Sequence, residues 1–292
     1  MSGDYEADRA AIWGMNTEGP DQLRELAERL AAEAAEFVRR RRPGLVDHGA
    51  DPAWVATKSS PTDPVTVVDT ETEELLRTRL ARLRPGEPIL GEEGGGPEPG
   101  GAVRWVVDPI DGTVNFLYGV PAYAVSVAAQ VDGVSIAGAV ADVVSGEIYS
   151  AAVGCGAHVT SGGQRRPLRC NAVEDLAMAL VGTGFGYEPQ RRGVQAALLA
   201  QVLPMVRDVR RIGSAALDLC MVAAGRLDAH YEHGLHVWDW AAGALIAAEA
   251  GAVVLLPGEA GGGAPLLVAA APGIAAELIA VLDRHGGLCP LP

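Results

Sequence analysis

Three apolar runs, 122–131, 134–141 and 146–153, follow one another with little but the turn pairs Asp132-Gly133 and Ser145-Gly146 between them. Strand-length apolar segments joined by such short turns predict an antiparallel meander. Upstream, Leu23, Leu26, Ala27, Leu30, Ala34, Phe37 and Val38 recur at helical spacing, which predicts an amphipathic helix over 21–42 that ends at Pro43-Gly44. Its last turn carries Arg39, Arg40, Arg41 and Arg42, read as cations favoured at a helix C-terminus. Val65-Thr66-Val67-Val68 predicts a short strand, closed by Asp69, which opens a second helix. Thr70 with Glu73 matches a capping box there, and Leu75, Leu76, Leu80 and Leu83 form the buried stripe before Pro85-Gly86. The first half therefore reads as helices packed on a mostly antiparallel sheet.

The second half alternates strands near 179–182, 209–212 and 253–256 with helices near 190–203, 214–225, 239–250 and 273–286. The expected fold class is α+β, one unit over 21–292 with two lobes at about 21–155 and 156–292. Residues 1–20 are set apart as a disordered N-terminus. A formal net charge of −14 opposes the phosphate backbone that any general nucleic-acid binder must neutralise. No apolar stretch reads as an export signal or a membrane span. Cys155, Cys170, Cys220 and Cys289 form no CxxC pair and are read as buried, reduced thiols, which fits a cytoplasmic protein.

The strongest chemical signal follows the apolar strand at 103–107. It ends in Asp108-Pro109-Ile110-Asp111-Gly112-Thr113, delivering two carboxylates three residues apart. Pro109 restricts both its own backbone and that of Asp108, and Gly112 permits a sharp turn or the close approach of a ligand. Two carboxylates and an intervening carbonyl suit a hard divalent cation, although Asp-Pro and Asp-Gly also make ordinary turns. Two further acidic motifs accompany it: Gly91-Glu92-Glu93 in a glycine-bounded loop, and Asp239 within Trp238-Asp239-Trp240-Ala241-Ala242-Gly243 at a helix start. Taken singly they read as a solvated loop and a first-turn helix carboxylate. Collected in one place, four carboxylates repel one another and make sense chiefly as a cation site.

These motifs, with Lys58-Ser59-Ser60-Pro61-Thr62-Asp63 ahead of them and Val114-Asn115-Phe116 after Thr113, stand in an order that resembles the inositol monophosphatase family of metal-dependent phosphatases, in particular its actinobacterial branch. The likeness runs from about the first helix to the last. It implies a layered αβαβα sandwich, usually a homodimer, that uses two to three Mg²⁺ ions and is inhibited by Li⁺. By the same resemblance Glu92, Asp108 and the Ile110 carbonyl hold one ion. Asp108, Asp111 and Asp239 hold a second, and Glu92 assists a further one. Asp69 and Thr113 match the family's pair that orients and deprotonates the attacking water, and Glu93 has a supporting place. The substrate side comprises Asp111, Gly112, Thr113 and Asp239 with the segment Gly213-Ser214-Ala215 and Glu232, which aligns with a residue that binds ring hydroxyls.

A carboxylate at Glu232 favours a polyol leaving group. The activity implied is Mg²⁺-dependent hydrolysis of myo-inositol 1-phosphate by water, with histidinol phosphate or sugar (bis)phosphates as rival substrates sharing the metal motifs. Some family members also act as partners of the transcription machinery, so a regulatory role stands as a second class. Ser214 reads equally as a helix N-cap. His230, His233 and His236 do not share one strand face and are not read as a metal site. Cys220 is read as core, and Gly182-Thr183-Gly184-Phe185-Gly186 lacks a dinucleotide fingerprint.

Overall fold

The computed structural model describes residues 19–48, 55–58, 64–98, 100–258 and 266–291. Residues 1–18, and Ser59 to Asp63 of the lysine motif, lie outside the described residues.

Helix α1, Pro20–His48, buries Leu23, Leu26, Ala27, Leu30, Ala34 and Val38 along one stripe. It runs through Pro43 instead of ending there, because a proline deletes only one donor of the ladder while the preceding turn is tied to its surroundings. Arg39 Nε donates to the Val143 carbonyl at 3.0 Å, and Arg41 is bidentate on Glu71 at 2.7 and 2.8 Å. Arg39 and Arg40 also pair with Glu36. All four arginines thus sit inside the helix, with Arg39, Arg40 and Arg41 held by carboxylates and a carbonyl, and the helix-end reading of them is corrected.

Strands β1 (Val55–Thr57) and β2 (Pro64–Thr66) form a short antiparallel pair, and α2 (Val67–Leu83) begins immediately afterwards. The strand expected to reach Val68 stops at Thr66 because Thr66 is the N-cap. Its Oγ1 accepts from the Val68 and Asp69 amides at 3.2 and 3.3 Å, and the Asp69 carboxylate accepts from the Thr66 amide at 2.9 Å. The capping box is therefore Thr66 with Asp69, not Thr70 with Glu73.

Next come β3 (Ile89–Gly91), β4 (Arg104–Asp111), α3 (Thr113–Tyr118), β5 (Ala124–Val131), β6 (Val134–Asp142), β7 (Ile148–Ala152), β8 (Ala157–Ser161) and β9 (Gln164–Pro167). They build a seven-stranded sheet in sequence order, antiparallel except between β3 and β4, with the expected meander at its centre. A second sheet draws on β10 (Leu180–Thr183), β11 (Asp208–Arg210), β12 (Ala229–His233), β13 (Val253–Leu255) and β14 (Leu266–Ala270) in the order β11-β10-β12-β14-β13. The helices of this half are α4 (Pro189–Val202), α5 (Ala215–Ala223), α6 (Val237–Glu249) and α7 (Pro272–Arg284).

Alternation along the strands assigns the layers. On β4 and β5, Trp105, Val107, Val127 and Ala129 pack on α1 and α2, while Val106, Ala124 and Ala128 pack on α5 and α6. On β14, Leu267 and Ala269 face α5 and α6 from the other side, while Leu266, Val268 and Ala270 face α4 and α7. The result is five layers, αβαβα, with α5 and α6 shared between two sheets. Gly138 makes the approach of α6 to the first sheet possible, since a Cβ there would lie 3.0 Å from Ala242 Cα. Of the four cysteines, which are all free, only Cys220 is buried, so the expectation that all are buried is corrected. Among the described residues no helix is long and apolar enough to cross a membrane.

Candidate active site

Residues three apart on a regular strand point to opposite faces, so the spacing of Asp108 and Asp111 alone would separate their carboxylates. The register resolves this. Asp108 pairs with Ser126 and Asp111 with Ala124, so Pro109 and Ile110 together oppose the single Val125. This is a β-bulge, placed where Pro109 lacks a ladder donor, and it re-aims the strand so that both carboxylates reach one side. Gly112 then takes φ +96°, where a Cβ would lie 2.9 Å from the Ala122 carbonyl, and α3 starts at Thr113.

Asp239 arrives from the first turn of α6, where its Oδ2 accepts from the His236 amide at 2.6 Å. Carboxylate oxygens of Asp108, Asp111 and Asp239 lie within 4.8 Å of one another. Asp111 Oδ2 accepts from Ser214 Oγ at 2.6 Å and from the Ala216 amide at 2.7 Å, so Ser214 serves as α5 N-cap and as a donor to the cluster. Asp108 is 1% exposed and its Oδ1 has no hydrogen-bond partner among the described residues. A buried, unpartnered carboxylate oxygen facing two more carboxylates is costly without a cation, and an all-oxygen donor set fits a hard divalent ion.

Burial is the main force raising these carboxyls. It carries Asp108 well above the usual range, with Glu92, Asp111 and Asp239 adding repulsion. Asp239 is likewise well raised by burial and by Asp111 and Glu92. Asp111 rises only to about 6, because its bonds from Ser214 and Ala216 oppose the burial. Asp69, fully buried at the third position of α2, is pushed to about 7 by burial against the opposing bonds from Thr66. Thr113 Oγ1 stands 3.1 Å from Asp69 Oδ1 and 3.0 Å from the Ile110 carbonyl, a hydroxyl with two alternative acceptors.

Glu92 lies beside Asp108 but outside the three-carboxylate group, because Lys58 Nζ contacts Glu92 Oε1 at 2.7 Å and Glu93 Oε1 at 2.6 Å. The loop that carries both glutamates is clamped from below by the buried Glu73, which accepts from the Glu93 and Gly94 amides at 2.7 Å each and pairs with Arg77 at 2.8 Å. Asp111, Gly112, Gly213, Ser214, Ala215, Glu232 and Asp239 line one cavity of about 240 Å³.

Four likenesses accompany this geometry. The inositol monophosphatase family model matches residues 20–286. The chain belongs to the inositol monophosphatase family. It is 68% identical over 282 residues to the inositol-1-monophosphatase of Mycobacterium leprae, covering 93% of this chain and 97% of that protein. The structure of Mycobacterium tuberculosis SuhB superposes with a TM-score of 0.80 at 62% identity, over 93% of this chain and 99% of that one. A Nus factor SuhB of Pasteurella multocida is 39% identical over 230 residues, 76% of this chain and 84% of that protein.

As an inositol monophosphatase family member the chain is a phosphatase, and its fold and acidic cluster suit a metal-dependent one. Sequence reasoning passed over Arg191 and Arg211, which line the same cavity. Arg211 had a signal, since it stands two residues ahead of the Gly213-Ser214-Ala215 segment; Arg191, on α4, had none. Nor was the role of Asn115 foreseen: its Nδ2 donates to the Ala122 and Ile212 carbonyls at 2.8 and 2.9 Å, tying the turn after α3 to the stretch that leads into Gly213-Ser214-Ala215.

Proposed function

We propose that this phosphatase hydrolyses myo-inositol 1-phosphate to myo-inositol and phosphate, using two to three Mg²⁺ ions and water as the nucleophile. The observation that carries the reading is the convergence of Asp108, Asp111 and Asp239, the last two of which line a cavity that Glu232 also lines. Glu92, Asp108, Asp111, Asp239 and the Ile110 carbonyl would hold the ions, and the unpartnered Asp108 Oδ1 supports that set. When bound, Mg²⁺ supplies charge neutralisation for the phosphate and lowers the pKa of a water. Thr113 Oγ1 takes the proton of the attacking water as its own passes to Asp69 Oδ1, and the raised pKa of Asp69 suits a base working near neutrality. Glu92, adjacent to Asp108, helps to orient that water. Gly112 and the Gly213-Ser214-Ala215 segment border the substrate, and Glu232 accepts from ring hydroxyls.

Inhibition by Li⁺ belongs to the same reading. So does a cytoplasmic homodimer, supported by family membership and by four free cysteines. The test is phosphate release from inositol 1-phosphate, histidinol phosphate and fructose 1,6-bisphosphate, with and without Mg²⁺. Fast, Mg²⁺-dependent release from inositol 1-phosphate, abolished in Asp108→Asn, is the expected result. Preference for either other phosphate would move the substrate to that class.

The likeness to a Nus factor favours a second reading, a partner of the transcription machinery.

A further inference from the structure

Behind Glu232 lies a row of ionisable side chains that the phosphatase reading leaves unused. His230 and Glu232 are two apart on β12 and so share the face turned toward α5. His230 is 0% exposed. Its Nε2 lies 3.4 Å from Glu232 Oε2, and its Nδ1 lies 3.7 Å from Oδ1 of Asp218, itself buried on α5. These are ion-pair separations, and neither ring nitrogen makes a hydrogen bond among the described residues. Buried ring nitrogens flanked by two carboxylates have those carboxylates as their compensation.

The neighbouring strand is built around this row. On β10, a Cβ at Gly182 would stand 2.9 Å from Asp218 Oδ1 and 3.0 Å from His230 Nδ1. Just beyond the strand, a Cβ at Gly184 would stand 2.0 Å from the Glu232 carboxylate. Glycines two apart clear a lane for three side chains in line, which accounts for the Gly182-Thr183-Gly184 motif without a nucleotide. At the cavity end, Glu232 feels the like charges of Asp111 and Asp239, so a cationic neighbour behind it is needed to hold it in place. Burial lowers the basicity of His230, but Asp218 and Glu232 outweigh it and raise the imidazole above its ordinary range.

We infer that His230, backed by Asp218, is a positioning residue that aims the Glu232 carboxylate at a hydroxyl-rich leaving group and so sets selectivity among phosphate monoesters. This rests on the proposed inositol phosphate reading. Neither His230 nor Asp218 lines the cavity, so their loss acts through Glu232 on recognition of the alcohol half of the substrate.

The experiment compares inositol 1-phosphate with 4-nitrophenyl phosphate, whose leaving group carries no polyol hydroxyls, in the full chain with saturating Mg²⁺. His230→Gln raises the KM for inositol 1-phosphate about ten-fold with kcat within two-fold, and the kcat/KM ratio of the two substrates falls by the same factor. Asp218→Asn acts in the same direction and more weakly. Gly184→Ala, whose added Cβ meets the Glu232 carboxylate first, displaces the end of that side chain and lowers the same ratio. The double variant His230→Gln, Glu232→Gln shows a ratio no lower than Glu232→Gln alone. Equal losses on both substrates in His230→Gln, or additive effects in the double variant, overturn the inference while leaving the phosphatase reading intact. An unchanged ratio in Glu232→Gln, or no turnover of inositol 1-phosphate by the unmodified chain, overturns that reading and the inference with it. Melting temperatures of each variant separate loss of fold from loss of selectivity, and Asp218→Asn, which weakens the backing of His230, decides the matter should His230→Gln not fold.

Discussion

Thr113 Oγ1 lies 3.1 Å from Asp69 Oδ1, joining the first turn of α3 to the first turn of α2. Each partner is fixed by its own local device. Asp69 is locked by the Thr66 capping box, and Thr113 follows the left-handed Gly112 at the end of a bulged strand. The pair is therefore rigid before any substrate arrives, which is the condition for efficient proton transfer.

Removing either member should lower kcat without much change in affinity for metal. Thr113→Ala and Asp69→Asn are each expected to cost about 10²- to 10⁴-fold in kcat for phosphate release. Thr113→Ser, which keeps the hydroxyl, should restore most of it. Steady-state kinetics across a Mg²⁺ titration check this, and a large rise in the Mg²⁺ requirement with unchanged saturating kcat would count against the assigned role.

Asp108→Asn should separate stability from function. The carboxylate is buried, unpartnered at Oδ1 and surrounded by Glu92, Asp111 and Asp239. Neutralising it relieves that repulsion in the metal-free protein, so the melting temperature in EDTA should rise by several degrees for about 1–3 kcal/mol gained. Phosphatase activity should be lost. Thermal scans with and without Mg²⁺ read both effects, since the variant should also lose most of the metal-induced increase.

Metal-free stability should fall as pH rises. The folded-state pKa values of Asp69 and Asp111, about 7 and about 6, exceed the unfolded value of 3.8, so the folded chain binds more protons than the unfolded one across roughly pH 4 to 7. The slope of unfolding free energy with pH is then negative, up to about 1.4 kcal/mol per pH unit for each group within its window. Melting in EDTA at pH 5.5 and pH 8 tests the sign. Mg²⁺ should stabilise more at pH 8, where it neutralises ionised carboxylates instead of displacing protons.

Glu73→Ala should loosen the loop of Glu92 and Glu93. The buried Glu73 carboxylate holds two loop amides and Arg77, and its removal leaves those donors without their acceptor. A loss of about 2–3 kcal/mol of stability is expected, together with a higher Mg²⁺ concentration for half-maximal activity. Denaturant titration and a Mg²⁺ activation curve measure the two, and an unchanged activation curve would detach Glu73 from the site.

What the chain's residues determine by themselves is local. The meander at 122–153, the stripe of α1 and the acidic motifs were legible because alternation, helical spacing and glycine or proline punctuation act over a few residues. Even there, local signals competed: Thr66 won the cap over Thr70, since its hydroxyl and the Asp69 carboxylate satisfy each other's neighbours directly, and Pro43 did not end α1. Tertiary structure alone decided three things. A bulge opposite Val125 turned Asp108 and Asp111 to one side, and α6 brought Asp239 to them from the other half of the chain. The strand order β11-β10-β12-β14-β13 set Gly182 and Gly184 against Asp218, His230 and Glu232. These are contacts between segments far apart in the chain, selected by how layers pack and by which buried charges find partners, and no short-range pattern of residues encodes them.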